Sequence, residues 1–305
     1  MHLFENSRPW SALCLVTAVL LVGCAGPAPV IRVEPPVAPV AVVKRPPVIG
    51  LALGGGAAKG FAHVGVIQAL EQAGIRPNLV VGTSAGSLVA SLYASGKSGA
   101  QLQYIAENME EAAFTDWGGL PIFGRGVLRG DALARFVNGQ VSGRLLEDMP
   151  LPLGIVATDL NNGQGVLFRR GDTGTAVRAS SSVPGVFQPV KIGLREYVDG
   201  GLVSPVPVRY ARQMGAELVI AVDVSSLAEG NLTGDTLQIL LQTFTIMGKS
   251  INSFELREAD LVVRPDQVGL SSTDFTARKR AIDAGRVAMQ RLIPQLKAAI
   301  EAKSK

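Results

Sequence analysis

Histidine is the scarcest of the chemistry-bearing residues in this 305-residue chain, with only His2 and His63. A mechanism that needs a histidine base, or a metal held by several imidazoles, has almost nothing to draw on. Cysteine is equally rare, at Cys14 and Cys24. Aromatic residues are 5% of the chain and charged residues 18%, so the core is expected to be aliphatic and the surface modestly charged. The net charge of +4 comes without a basic run or an aromatic-interleaved patch, which leaves no footprint for nucleic acid. No internal repeat of solenoid period is visible, and no proline-rich linker follows residue 47.

What the chain has is aliphatic residues, at 47% hydrophobic content, and glycine. Ser11–Val22 is an apolar run the length of a signal-peptide core, preceded by Arg8. It ends in Leu21-Val22-Gly23-Cys24, which resembles a bacterial lipobox. That likeness implies that residues 1–23 are a lipoprotein signal peptide and that Cys24 becomes a lipidated first residue, anchored firmly by several acyl chains. Cleavage removes one acid, Glu5, and one base, Arg8, so the net charge stays at +4. It also removes Cys14. A lone Cys24 permits neither an internal disulfide nor a cysteine-built metal site. Ala25 after the cysteine suggests, by analogy with lipoproteins in general, retention in the bacterial cell envelope at the outer membrane, facing the periplasm. Residues 24–47 carry prolines at 27, 29, 35, 36, 39, 46 and 47 and read as an extended tether.

From Val48 to Lys305 strand-like and helix-like runs alternate. Strands are expected over 48–53, 78–81, 153–158, 166–168, 217–224 and 260–263. Helices are expected over 61–73, 85–95, 99–113, 206–214, 237–256 and 275–302. This order predicts one α/β domain with a largely parallel sheet and helices on both faces.

Gly82-Thr83-Ser84-Ala85-Gly86 stands between the strand Leu79-Val80-Val81 and a helical run. A Gly-x-Ser-x-Gly on a strand-to-helix turn is a nucleophile elbow, which presents the serine hydroxyl at the sheet edge before a helix N-terminus. A second glycine loop, Gly54-Gly55-Gly56-Ala57-Ala58-Lys59-Gly60, follows the first strand. It fits neither a dinucleotide fingerprint nor a nucleoside-triphosphate loop in any register. An oxyanion hole remains, beside the plainer reading of a tight turn without a ligand.

A serine nucleophile needs a proton acceptor. His63 lies upstream of Ser84 among Phe61, Ala62, Val64 and Val66, and reads as a packed or helix-capping residue. Asp199, in Tyr197-Val198-Asp199-Gly200-Gly201, ends a short β-like run. An aspartate held against the hydroxyl can act directly. Asp159 and Asp223, which also end strand-like runs, compete for the role.

The glycine loop, the elbow and the Asp-Gly-Gly, in that order, resemble the patatin-like phospholipases, in particular small bacterial members similar to neuropathy target esterase. The flanks agree: Leu51-Ala52-Leu53, Gly60-Phe61-Ala62-His63-Val64-Gly65-Val66, and Arg178 to Phe187. The resemblance implies a three-layer α/β/α fold and a serine–aspartate dyad without histidine. By carry-over Ser84 is the nucleophile and Asp199 the base. The amides of Gly55, Gly56, Ala57 and Ala85 form the oxyanion hole. Gly54, Lys59, Gly60, Gly82, Gly86, Gly200 and Gly201 support the motifs. Two departures stand out: Ala57 where the family commonly has glycine, and Lys59 where it has arginine. The implied activity is that of a membrane-tethered lipid acyl hydrolase, needing no cofactor or metal, on phospholipid or other acyl-ester substrates. Acyl transfer by the same dyad and a catalytically silent lipid-binding lipoprotein are the alternatives. Phe114, Trp117, Leu120, Ile122 and Phe123 are candidates to line an acyl entrance, or else belong to a loop folded on the core.

Overall fold

The aliphatic runs assemble into one sheet. The computed structural model describes residues 44–110, 128–225, 236–271 and 274–305, which belong to a compact unit, Lys44–Lys305. The expected signal peptide, Cys24, most of the tether and the aromatic group at 114–123 lie outside the described residues. Among the described residues the strands are β1 (Ile49–Leu53), β2 (Leu79–Thr83), β3 (Leu153–Asp159), β4 (Gly165–Phe168), β5 (Val190–Ile192), β6 (Arg195–Asp199), β7 (Leu218–Val222) and β8 (Leu261–Val263). They form an eight-stranded sheet. β3, β2, β1, β7 and β8 are parallel neighbours in that order. β4 and β6 pair antiparallel with β3, and β5 with β6.

The helices are α1 (Ala62–Gln72), α2 (Ala85–Ala94), α3 (Gly99–Asn108), α4 (Asp131–Gln140), α5 (Thr173–Ser180), α6 (Val208–Gln213), α7 (Thr236–Glu255) and α8 (Arg278–Lys303). Side chains alternate along each strand, so each central strand feeds two cores. Leu51, Leu53, Val80, Ile155, Ile220 and Val222 pack under α1–α5 and α8. Ala52, Val81, Val156, Val219 and Ala221 pack under α6, with Val208, Tyr210 and Ala211. This is a three-layer arrangement with one thick and one thin helical layer.

Three details depart from the sequence reading. Lys44–Pro47 belong to the folded unit and not to the tether. The Arg45 guanidinium is 2.8 Å from Glu217, the Arg45 amide donates to the Lys305 carbonyl, and Pro47 is buried. α3 stops at Asn108, because Met109 turns to extended backbone. The helices α4 and α5 were unforeseen. α4 buries only Leu133 and Val137, a stripe too thin to read, and α5 starts at the cap Asp172, which accepts from the Thr175 amide.

Candidate active site

β2 ends at Thr83, α2 begins at Ala85, and Ser84 alone makes the turn between them, at φ 52 and ψ −124. That is a costly conformation for a residue with a side chain, worth roughly 1–3 kcal/mol, and it persists only where surroundings enforce it. The surroundings are close. A Cβ on Gly86 would strike the Leu53 and Gly54 carbonyls, and one on Gly82 would strike the Gly86 backbone. The Ser84 amide donates to Ser180 Oγ at 2.8 Å, and that hydroxyl donates to the Val156 carbonyl at 2.6 Å. Ser180 thus ties the elbow to β3, a role that its place in the Arg178–Phe187 block did not reveal.

β3 also brings Asp199 to the elbow. Val156 is paired with Thr83 on one side and Leu167 on the other, and Ala157 with Asp199 and Val166. β4 therefore occupies one edge of β3, while β2 and β6 share the other edge end to end. The two strands run in opposite directions and their C-terminal ends meet, so Ser84 and Asp199 become neighbours. Asp199 is clamped there. Its amide donates to the Ser182 carbonyl, its carbonyl accepts from Thr158 Oγ1 at 2.8 Å, and its Oδ1 accepts from the Gly201 amide at 2.7 Å. Among the described residues Oδ2 is buried without a hydrogen bond of ordinary geometry, although the Ser84 hydroxyl interacts with this carboxyl. Burial pushes the Asp199 pKa up from 3.8 to about 6, against the pull of the Ser84 hydroxyl and the Gly201 amide.

The competing acids are engaged elsewhere. Asp159 forms an ion pair with Arg195, whose hydrogen bond holds it below the usual carboxylate range. Asp223 pairs with Arg264 and accepts from Ser225. His63 is fully buried. Its Nε2 lies 2.8 Å from the Gly54 carbonyl, so that nitrogen carries the proton, and Nδ1 has no partner among the described residues. Burial lowers its pKa to about 4. It is a packed brace for the glycine loop.

The loop lies against the elbow: a Cβ on Gly55 would sit 3.2 Å from Ser84 Cβ, and one on Gly60 would sit 2.7 Å from Ala85 Cβ. One expected donor must be corrected. The Gly55 amide donates to the Pro205 carbonyl at 2.9 Å, so it is not free to bind an oxyanion. The Gly54 amide is likewise held, by Val222. The amides of Gly56, Ala57 and Ala85 have no hydrogen-bond partner among the described residues. Ala57 stands at φ 48, the left-handed region where glycine fits without strain. Lys59 closes the turn by donating its amide to Gly56, and its carbonyl accepts from Gln267 Nε2. Gly200 and Gly201 form the tight turn after Asp199.

Ser84 opens onto an apolar cavity of about 170 Å³. Phe61 just before α1 and Val64 within it, Leu88 and Leu92 of α2, and Leu102 and Ile105 of α3 line it. Sequence periodicity marks these residues as ordinary core, so the cavity was not foreseen. Among the described residues no group of three or more His, Cys, Asp or Glu side chains is gathered to hold a metal ion.

A Ser-on-elbow facing a buried aspartate, on a largely parallel sheet, is the arrangement of a serine hydrolase of the α/β class. Residues 51–212 match the family described as Patatin, patatin-like phospholipase, and the chain belongs to that family. Its members are generally serine hydrolases acting on ester bonds. An NTE family protein of Mycobacterium bovis is 33% identical over 204 residues, covering 65% of this chain and 56% of that protein. The chain thus spans little more than half of that relative's length. Patatin-like phospholipase domain-containing protein 6 of Mus musculus is 32% identical over 234 residues, covering 73% of this chain and 16% of the mouse protein. The crystal structure of VipD from Legionella pneumophila shares the fold, with a TM-score of 0.56 and 16% identity over 83% of this chain and 68% of that one.

Proposed function

We propose that the chain is a lipid acyl hydrolase working through a Ser84–Asp199 dyad. The observation that carries this is the end-to-end meeting of β2 and β6, which faces the Ser84 hydroxyl with a buried carboxylate beside an apolar cavity. Ser84 Oγ attacks the ester carbonyl while Asp199 Oδ2 takes its proton. A pKa of about 6 leaves this carboxylate ionised at neutral pH yet basic enough to serve. The amides of Gly56, Ala57 and Ala85 bind the developing oxyanion, and α2 adds the positive end of its dipole. The protonated Asp199 returns its proton to the leaving alcohol. Water, deprotonated by the same carboxylate, then attacks the acyl-enzyme and frees the fatty acid.

The acyl chain occupies the cavity between α1, α2 and α3, where its lining removes apolar surface from water. The enzyme is lipid-anchored through Cys24 at the outer membrane of a bacterial envelope, a reading that rests on the lipobox-like Leu21–Cys24 for the anchor and on Ala25 for the membrane. The test is hydrolysis of short- and long-chain esters by wild type and Ser84→Ala, with labelling of Ser84 by a fluorophosphonate. Labelling and turnover that both disappear in Ser84→Ala support the reading. A folded wild type that neither labels nor turns over ends it.

A further inference from the structure

A second cavity, of about 740 Å³, lies beyond the C-terminal ends of the central strands. The chain passes from β1 outward to β2 and β3, then returns to β7 and β8 on the other side of β1. The order therefore reverses between β1 and β7, and in open α/β sheets the crevice at such a reversal is where ligands sit. This cleft is there. It is bounded by Lys59 after β1, Asp223 and Ser225 after β7, and the 264–270 segment after β8, and it is closed by the end of α7.

Its charge is lopsided. Lys59, Lys249, Arg257 and Arg264 face two acids, Asp223 and Asp266. Both acids have work: Asp223 pairs with Arg264 and Ser225, and Asp266 accepts from the Val268 amide. Lys249 and Arg257 are exposed and have no ion-pair partner among the described residues, and Arg257 rests on the Phe254 ring. In the cleft wall Asn252 is 3% exposed. Its Oδ1 accepts from the Val206 amide, but its Nδ2 is buried with no acceptor among the described residues. An unpaired buried donor costs about 1–3 kcal/mol, which an anionic acceptor would offset. The turn Ala57–Gly60 separates the two cavities: Ala57 and Gly60 line the apolar one beside Ser84, while Lys59 lines this cleft.

We propose that this cleft binds a phosphate-bearing group. Resting on the reading of Ser84 as the attacking residue, the group is the anionic head of a phospholipid whose acyl chain lies across the Ala57–Gly60 turn. Free phosphate offers the same chemistry, and the test separates the two.

Lys249→Glu combined with Arg257→Glu alters exposed side chains only. In mixed micelles, the ratio of kcat/KM for phosphatidylglycerol to that for uncharged diacylglycerol is expected to fall at least about tenfold in the double variant, the loss typical of a charge-assisted contact. Lys297→Glu, on α8 away from the cleft, keeps the wild-type ratio. In parallel, the melting temperature is read with inorganic phosphate against chloride at equal ionic strength. A phosphate-dependent rise in wild type that vanishes in the double variant shows the anion site, and an unchanged lipid ratio then assigns it to free phosphate. An unchanged ratio together with no phosphate-dependent rise overturns the proposal. If neither ester is turned over by wild type, the hydrolase reading fails, and the melting experiment alone decides the anion site.

Discussion

Replacing Asp199 by asparagine should kill turnover and stabilise the fold, and the two effects have one cause. The carboxylate is buried and Oδ2 has no full hydrogen bond. Its pKa moves from 3.8 to about 6, chiefly by desolvation, a perturbation worth about 3 kcal/mol at about 1.4 kcal/mol per decade. The sign follows from proton binding. Between the two pKa values the folded state binds more protons than the unfolded chain, so this group's contribution to stability falls as pH rises from about 4 to about 6 and stays low above it. Asparagine keeps an oxygen for the Gly201 amide and carries no charge, so it avoids the loss. In urea titrations the variant should match wild type near pH 4 and exceed it by up to about 3 kcal/mol above pH 7. Over the same range wild-type kcat/KM should rise with an apparent pKa near about 6, and the variant should lose roughly 10²- to 10⁴-fold. A stability difference that does not change with pH, or an asparagine variant less stable at about pH 8, would refute the claim that a desolvated carboxylate sits there.

Two further substitutions probe the loop. Ala57→Gly removes the cost of φ 48, about 1–2 kcal/mol, and adds unfolded-chain entropy of about 0.4–1 kcal/mol. A net gain of about 0 to 1.6 kcal/mol is expected in thermal melting, and a clear loss would contradict it. His63→Ala leaves the Gly54 carbonyl without its donor and opens a cavity, so the fold should weaken by about 2–4 kcal/mol. The folded fraction should keep turnover with the acid limb still near about 6, since His63 titrates near about 4. Disappearance of that limb would make the histidine the base.

The elbow and the glycine loop after β1 were readable because local pattern determines them. A strand, a turn that only small residues tolerate and an apolar helix follow one another in sequence, and the residues act where they stand. The choice among Asp159, Asp199 and Asp223 was not readable in the same way. It depends on which acid has a cation beside it, and Arg195 and Arg264 are assigned to the first and third only by the fold. The Gly55 amide illustrates the same limit. Its acceptor, Pro205, is 150 positions away, so a donor that looks free in sequence is taken in space. The apolar cavity beside Ser84 stayed hidden because residues such as Leu88 and Leu102 have the helical spacing of any core, and packing alone leaves a gap between them.

The meeting of β2 and β6 along one edge of β3 makes a sharper demand than either motif does. Two strand ends can share an edge only if the chain after each turns away at once. After Asp199 it does so at Gly200, whose missing side chain matters: a Cβ there would fall well inside contact distance of the Val156 carbonyl oxygen and 3.1 Å from Thr83 Cγ2. Neither neighbour can yield, because Val156 is fixed by its strand partners and by Ser180, and Thr83 ends β2. Gly200→Ala must therefore push the end of β6 away from the end of β2 and part Asp199 from Ser84. Overpacking of this kind costs about 1–3 kcal/mol in stability. A misplacement of about 1 Å at reacting groups costs about 10²-fold in rate. At Gly201 the added carbon would meet only Asp199 Oδ1, at 3.0 Å. The expected order is thus a folded Gly200→Ala protein with kcat down about a hundredfold and fluorophosphonate labelling slowed in step, and a Gly201→Ala protein that loses less of both. A Gly200→Ala enzyme that is folded and retains kcat within about twofold would mean that the shared edge of β3 does not set the distance between Ser84 and Asp199.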